Sequence, residues 1–170
     1  MAPQEPATDL DPRFSSEGAS ATPWSEARHQ LEQAKAYWLS TVRPDGRPHV
    51  TTIAAIWLDD ALFFTTGIGE RKAKNLAKNT NVVVTTGTNA FDGLDVVLEG
   101  EAVRVSDQAT LERLAAAYLP KYDGIFVHEA RDGQLYAEPG QDPVLAFQVR
   151  ATKAFGFGKG RAFSQTRYRF

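Results

Sequence analysis

Apolar and polar residues follow two different spacings along this chain, and the change between them separates a helix from a series of strands. Trp24, Ala27 and Leu31 recur at helical spacing behind Pro23, which suits the first turn of a helix. From Ala36 onward, short apolar runs rich in β-branched and aromatic residues alternate with turn residues, a pattern typical of strands. The predicted strands are AYWLSTVR, HVTTIAAIWL, ALFFTT, NVVVTTG, DVVLEGEAVRVS and PVLAFQVRATKAFGFG.

Two further short helices are predicted between these strands. The apolar residues of segment 70–79 recur at helical spacing, and so do those of the segment that follows Ser106. Ser106 can cap the start of that second helix, and Pro120 is expected to end it. Both helices are insertions into a chain that is mainly strand.

The long strand DVVLEGEAVRVS contains an irregularity in its apolar pattern. Val96 and Leu98 occupy one phase of the alternation, whereas Val103 and Val105 occupy the other. A change of phase by an odd number of residues requires an extra residue in the strand. A β-bulge is therefore predicted near Gly100.

The predicted elements indicate one mainly β domain. About six antiparallel strands in meander order, with short helices inserted, are most simply accommodated by a small antiparallel barrel that buries its own edges. Residues 1–21 are rich in Pro, Ser, Ala and Asp and offer few large apolar groups, so they are predicted to be a disordered N-terminal tail. The domain is expected to occupy residues 22–170.

Composition excludes several kinds of site. The 19 basic and 21 acidic residues nearly cancel, which does not favour sequence-independent binding of nucleic acid. The absence of cysteine excludes disulfides, thiolate metal sites and thiol catalysis, and three scattered histidines do not predict a metal cluster. No apolar run approaches the ~20 residues of a membrane span, and the N-terminus does not resemble a signal peptide. A cytoplasmic protein that does not bind membranes is expected.

Positive charge is nevertheless concentrated in one segment, TTGIGERKAKNLAKN. Arg71 and Lys72 fall in the first turn of the predicted helix, where unpaired N–H groups already place about half a positive charge. A bound phosphate would relieve this conflict. Its further donors would be the residues just before the helix, Thr65, Thr66, Gly67 and Gly69. The alternative is a solvated basic face, and the spacing alone does not exclude it.

The run GRPHVTTIAAIWLDDALFFTTGIGERKAKNLAKNTNVVV resembles the split-barrel flavin-binding proteins of the pyridoxamine 5'-phosphate oxidase type, including their flavin and deazaflavin oxidoreductase branch. The resemblance extends in element order over residues 24–153 and is sharpest in FFTTGIGERKAKNL. It implies a split β-barrel that binds FMN or the deazaflavin coenzyme F(420).

The resemblance also implies which residues contact the cofactor. Those implied to hold its phosphate are Thr65, Thr66, Arg71 and Lys72. Those implied to lie along its tricyclic ring are Thr51, Thr52, Ile53 and Ala54. Proteins of this type are homodimers with the cofactor at the subunit interface, so a second copy of the chain is the implied partner.

The C-terminal region departs from the pyridoxamine phosphate oxidases themselves. They carry an Arg and His arrangement for the substrate phosphate, whereas this chain ends in FSQTRYRF and has no histidine after His128. Vitamin B6 oxidase activity is therefore not expected. From Arg150 onward the chain has six basic residues and no acidic one, so this tail either closes over an anionic ligand or is an ordinary basic terminus.

Three functions remain open from the sequence. The first is an oxidoreductase in which a reduced flavin or deazaflavin passes a hydride to a small unsaturated or carbonyl substrate. Coenzyme F(420) is favoured over FMN because RKAKNL and the basic tail offer more positive charge than one phosphate needs. The second is a cofactor carrier or sensor without turnover, and the third is a protein that binds single-stranded nucleic acid. No catalytic residue is identified, and His49 is interpreted as a structural or exposed residue.

Overall fold

The computed structural model describes residues 5–137 and 141–170. Three α-helices are present in these ranges: α1 (Trp24–Gln33), α2 (Arg71–Leu76) and α3 (Gln108–Lys121). The strands are β1 (Ala7–Leu10), β2 (Tyr37–Val42), β3 (Pro48–Ile53), β4 (Ala55–Leu58), β5 (Ala61–Gly67), β6 (Asn81–Thr86), β7 (Gly93–Val105), β8 (Glu129–Arg131), β9 (Gln134–Tyr136), β10 (Pro143–Lys159) and β11 (Ser164–Arg169).

The described strands form one antiparallel sheet organised around β10. This strand pairs with β7 along nearly its whole length. On its other side, residues 144–149 pair with β5 and residues 153–158 pair with β11. The sheet order is β1-β11-β10-β7-β6-β2-β3, with the β4–β5 hairpin joined to β10. The sheet curls around a core without closing on itself, which confirms the predicted split β-barrel.

Two apolar clusters lie on opposite faces of the β4–β5 hairpin. The barrel interior contains Leu39, Phe64, Val84, Leu98 and Phe147, and α1 covers it. The second cluster lies under α3 and contains Ile56, Phe63, Leu111, Leu114 and Tyr118. The hairpin therefore has apolar residues on both faces, which explains the continuous apolar run ALFF.

The predicted bulge is present at the expected level of the sheet but on the neighbouring strand. Gly100 pairs with Ala151 and Glu99 pairs with Lys153, so Thr152 of β10 is the extra residue. The buried phase of β7 continues without a shift from Leu98 to Ala102. Val105, in the opposite phase, packs against the cluster under α3, which covers the other face of the sheet.

The prediction of a disordered tail is wrong for the described part of residues 1–21. Residues 7–10 form β1, which pairs in register with residues 166–169 of β11. Farther along, the Ser16 N–H donates to the Phe163 carbonyl at 2.8 Å. The physical reason is that backbone hydrogen bonds to the edge of β11 order a segment that has little apolar surface to bury. Residues 1–4 lie outside the described residues.

The strand number and the helix ends also differ from the predictions. HVTTIAAIWL is divided at Ala54 into β3 and β4, and the C-terminal tail forms β11. The helix α3 is capped by Asp107 and not by Ser106, because the Asp107 carboxylate accepts the Thr110 N–H at 2.8 Å. Pro120 lies in the last turn of α3 and does not end it earlier. None of the helices in the described ranges is long and apolar enough to cross a membrane.

Candidate functional site

The ends of β3 and β5, the first turn of α2 and the loop before β8 surround a cleft of about 280 Å³. Its lining residues are Thr52, Ile53, Ala54, Thr65, Thr66, Gly67, Glu70, Lys72, Phe126, His128, Ala137 and Val144. Six of the eight residues that the sequence predicts to bind a cofactor are in this set. The fold thus brings the two predicted halves of the site together, the VTTIAA strand and the TTGIGERK segment.

Thr51 and Arg71 are the two predicted site residues that do not line the cleft. Thr51 lies one position before residues 52–54, the stretch that lines the cleft at the end of β3. Arg71 is exposed at the start of α2, whereas the adjacent Lys72 is buried on the packed face of that helix. The cation that faces the cleft is therefore Lys72.

Tyr118 of α3 and Tyr122, the residue just after this helix, fix the bend between β3 and β4 that forms one wall. The Tyr122 hydroxyl accepts the Ala55 N–H at 2.8 Å and lies 3.0 Å from the Ala55 carbonyl oxygen, to which it donates. The Tyr118 hydroxyl donates to the Ala54 carbonyl at 3.4 Å. Burial raises the pKa of both tyrosines, so both hydroxyls stay protonated. The backbone at Ala54, which belongs to neither strand, is thereby held in place without regular strand pairing.

A turn at Gly67 determines where Lys72 points. The Glu70 carboxylate accepts the Gly67 N–H at 2.8 Å through Oε1, while Oε2 accepts a hydrogen bond from Lys72 Nζ. Burial opposes ionisation of Glu70, but the bonds from Lys72 and Gly67 outweigh it and lower the pKa of this carboxyl. The Gly67 amide, which the sequence predicts as a phosphate donor, is already bound by Glu70.

A second group of cations lies beside the cleft around His49. Burial lowers the pKa of His49, and the positive charges of Arg43, Arg71 and Lys72 lower it further. The nearby hairpin carboxylate of Asp45 forms its ion pair with Arg47 and interacts only at longer range with Arg43. This basic cluster offers electrostatic attraction to an anion larger than one phosphate.

A buried polar chain anchors α2 to the barrel. Asn75, which is completely buried, donates from Nδ2 to Thr41 Oγ1 at 2.9 Å, and Thr41 Oγ1 lies 3.3 Å from His49 Nδ1. Residues 72 and 75 are three positions apart and share one face of the helix. The contact between Asn75 and Thr41 thereby fixes the face that carries Lys72.

Sequence reasoning missed the residues of the other wall, Phe126, His128, Ala137 and Val144. Phe126 and His128 belong to the loop after α3, in which Ile125 and Val127 are largely exposed. The sequence does contain a signal for this wall, because residues 125–127 are three consecutive large apolar residues in a loop after a helix.

The basic C-terminal tail does not contribute to the cleft. β11 pairs with residues 153–158 of β10, whereas the cleft lies beside residues 144–149. Arg167 and Arg169 pair with Asp9 of β1 at 3.7 and 2.7 Å. Within one chain, the tail forms a strand at the far end of β10 and does not close over TTGIGERK.

The cleft can hold a planar group beside residues 52–54 and an anion beside Thr65, Thr66 and Lys72. Hydroxyl and ammonium donors next to an open stretch of strand suit a phosphorylated ring cofactor. The volume lies at the lower end of ligand pockets, which are ~300–1,000 Å³. No cluster of three or more metal-ligating side chains is found among residues 5–137 and 141–170.

Comparisons with known proteins agree with this fold. Residues 24–156 match the family described as pyridoxamine 5'-phosphate oxidase, which confirms the resemblance predicted from the sequence. No curated protein shows significant similarity to the chain.

Solved structures share the fold at low identity. A conserved hypothetical protein from Mycobacterium tuberculosis has a TM-score of 0.65 at 19% identity, covering 82% of this chain and 86% of that one. An F(420) reductase has a TM-score of 0.57 at 22% identity, with 75% and 94% covered. A heme binding protein from Mycobacterium smegmatis has a TM-score of 0.63 at 20% identity, with 82% and 55% covered. At these identities the likeness establishes the fold.

Proposed function

The chain belongs to the pyridoxamine 5'-phosphate oxidase family, and from that premise we propose that it is an oxidoreductase dependent on FMN or coenzyme F(420). The reaction is a hydride transfer between the reduced cofactor and a small unsaturated or carbonyl substrate. The observation that carries the proposal is the convergence of Thr52, Thr65 and Lys72 on one cleft from three separate elements.

The chain's own residues bind and orient the cofactor, which supplies the hydride chemistry when bound. Lys72 and the hydroxyls of Thr65 and Thr66 hold the phosphate end. The backbone of residues 52–54 supports the ring, and the hydroxyls of Tyr118 and Tyr122 hold the bend at Ala54. A protein that only binds and orients such a cofactor does not need a nucleophile of its own.

The deazaflavin coenzyme is the favoured cofactor. Its acidic polyglutamate tail needs more positive charge than the single phosphate of FMN. The basic C-terminal tail no longer supports this preference, but Arg43 and Arg71 beside the cleft do. An F(420) reductase is among the structures that share the fold.

The proposal includes a homodimer in which the second copy covers the cleft. Trp38 is 45% exposed and lies directly across from the cleft residue Thr52 in the β2–β3 pair. Val50, on the same outer face, is 55% exposed. Exposed apolar residues that continue into a ligand cleft favour a shared site. Light scattering should give about twice the 18.7 kDa chain mass, and Trp38→Glu should give monomers that bind cofactor weakly.

A cofactor carrier or sensor without turnover is the second candidate. A heme binding protein shares the fold, so this architecture also serves binding proteins. Two measurements on the purified protein separate the candidates. Fluorescence titration with FMN and with coenzyme F(420) tests cofactor binding, and oxidation of the reduced cofactor by an enone or quinone tests turnover. Binding of neither cofactor would refute both candidates, and binding without oxidation would leave the carrier.

A further inference from the structure

His128 lines the cleft, but the proposed function gives it no role in binding the cofactor. It lies in the loop between α3 and β8 and lines the same cleft as Thr65, Thr66 and Lys72. Its neighbours on this wall are apolar, namely Phe126, Ala137 and Val144. Among the described residues of this wall, the imidazole is the polar group and the other members are apolar.

The two ring nitrogens of His128 have different surroundings. Nδ1 is buried and has no hydrogen-bond partner among the described residues. The ring packs against Tyr118 with the ring centroids 4.6 Å apart. An N–H at Nδ1 would be a buried donor without an acceptor, which is unfavourable. The hydrogen of the neutral ring therefore resides on Nε2.

The same surroundings keep the imidazole uncharged. A charged ring needs acceptors for two N–H groups, and Nδ1 has none. Burial accordingly lowers the pKa of His128. A neutral ring with its hydrogen on Nε2 is a hydrogen-bond donor that adds no charge to the apolar wall.

We infer that His128 binds the carbonyl oxygen of an apolar substrate through Nε2–H, an inference that rests on the proposed function. The phosphate end and the ring wall of the cleft are assigned to the cofactor, so the wall of Phe126, His128 and Val144 faces the substrate. A single hydrogen-bond donor within an apolar wall favours binding of apolar molecules that carry one hydrogen-bond acceptor. Hydrogen bonding to the oxygen also polarises the carbonyl group, and no proton leaves His128.

The test uses 2-cyclohexenone as the probe and cyclohexene as its counterpart without the oxygen. Three variants separate the roles of the ring atoms. His128→Gln retains an N–H donor near the position of Nε2, His128→Asn places its amide near Nδ1, and His128→Leu has no donor. Affinity is measured by titration of cofactor-free and cofactor-loaded protein. The ring nitrogens of the wild type are followed by ¹⁵N NMR, which three histidines keep simple to assign.

We expect cyclohexenone to bind about threefold to tenfold more weakly to the Leu and Asn variants and nearly normally to the Gln variant. Cyclohexene should bind all four proteins equally, and the NMR spectrum should place the hydrogen on Nε2. Equal cyclohexenone affinity of the wild type and His128→Leu, or a hydrogen on Nδ1, would overturn the inference. Failure to bind either cofactor would instead refute the proposed function, and the cofactor-free titration would still decide the role of His128.

Discussion

Lys72 and Glu70 form an ion pair at the wall of the cleft in which the lysine is the buried member. The Lys72 side chain is 10% exposed and the Glu70 side chain 49% exposed. The ammonium is therefore fixed in a protected position, while its present partner is accessible to solvent. An incoming phosphate would compete with Glu70 for the same cation, and the first two predictions follow from this competition.

Replacing Lys72 with Met should weaken binding of FMN about tenfold to a hundredfold, because a hydrogen bond between charged groups is worth roughly 1.5–3 kcal/mol. Met retains the buried aliphatic stem, so the fold should be preserved. Fluorescence titration measures the affinity. Lys78→Met is the matched control, since Lys78 is exposed beyond the end of α2 and does not line the cleft.

Riboflavin, which lacks the phosphate, provides the second control for this prediction. It should bind the wild type and the Lys72→Met variant with similar affinity. If Lys78→Met weakens FMN binding as much as Lys72→Met, the attraction is diffuse and no phosphate is held at Lys72.

Replacing Glu70 with Gln should strengthen FMN binding about twofold to fivefold, since a partly exposed ion pair is worth up to ~1 kcal/mol. The amide oxygen of Gln can still accept the Gly67 N–H, so the turn should persist. The measurement is again a fluorescence titration. Weaker binding to Glu70→Gln would mean that the carboxylate organises the site and does not compete with the ligand.

Stability should decrease as the pH falls from about 7 to about 5.5. The pKa values of His49 and His128 are lowered from 6.5 in the folded protein, mainly by burial, so the unfolded chain binds more protons in this interval. The penalty is absent well above pH 6.5 and grows as the pH falls through that value. Urea unfolding at several pH values measures the slope.

The slope should flatten in His128→Gln and His49→Gln and flatten most in the double variant. His29→Gln, at an exposed position of α1, is the matched control. An unchanged slope in the double variant would show that neither imidazole is held in its neutral form by the fold.

Deleting residues 1–16 should lower the melting temperature by about 5–10 °C, because β1 is lost and the edge of β11 is exposed. Affinity for the cofactor should change little, since β1 and the cleft lie at opposite ends of β10. Differential scanning calorimetry measures the shift. Asp9→Ala should have a smaller effect, because it removes exposed ion pairs with Arg167 and Arg169 and keeps the backbone pairing. An unchanged melting temperature after the deletion would contradict the role given to β1.

The sequence predicted the barrel and the side of the cleft formed by the VTTIAA strand and the TTGIGERK segment, because those features are local. The strands, the turns and the glycines before the basic helix can each be predicted from residues that are close together in the sequence. The prediction included both Thr51 and Thr52, and of these two only Thr52 lines the cleft. A sequence pattern can place site residues on the correct strand. The structure is needed to determine which of those residues face the ligand.

The rest depends on contacts between distant segments, which local patterns do not encode. Tyr118 and Tyr122 reach Ala54 and Ala55 from a helix more than 60 positions away in the chain. Their spacing on α3 predicts only a buried face. Likewise β1 is ordered by backbone bonds to β11, so its composition gave no indication of it.

The position of β10 in the chain has a consequence for how the protein is made. Residues 62–67 of β5 have no partner on their outer side until residues 144–149 have been synthesised. At ~5–20 residues per second on the ribosome, the nascent hairpin carries an unpaired apolar edge for several seconds. Barrel assembly is thus postponed to the end of translation, and a chain that terminates before β10 should aggregate instead of folding.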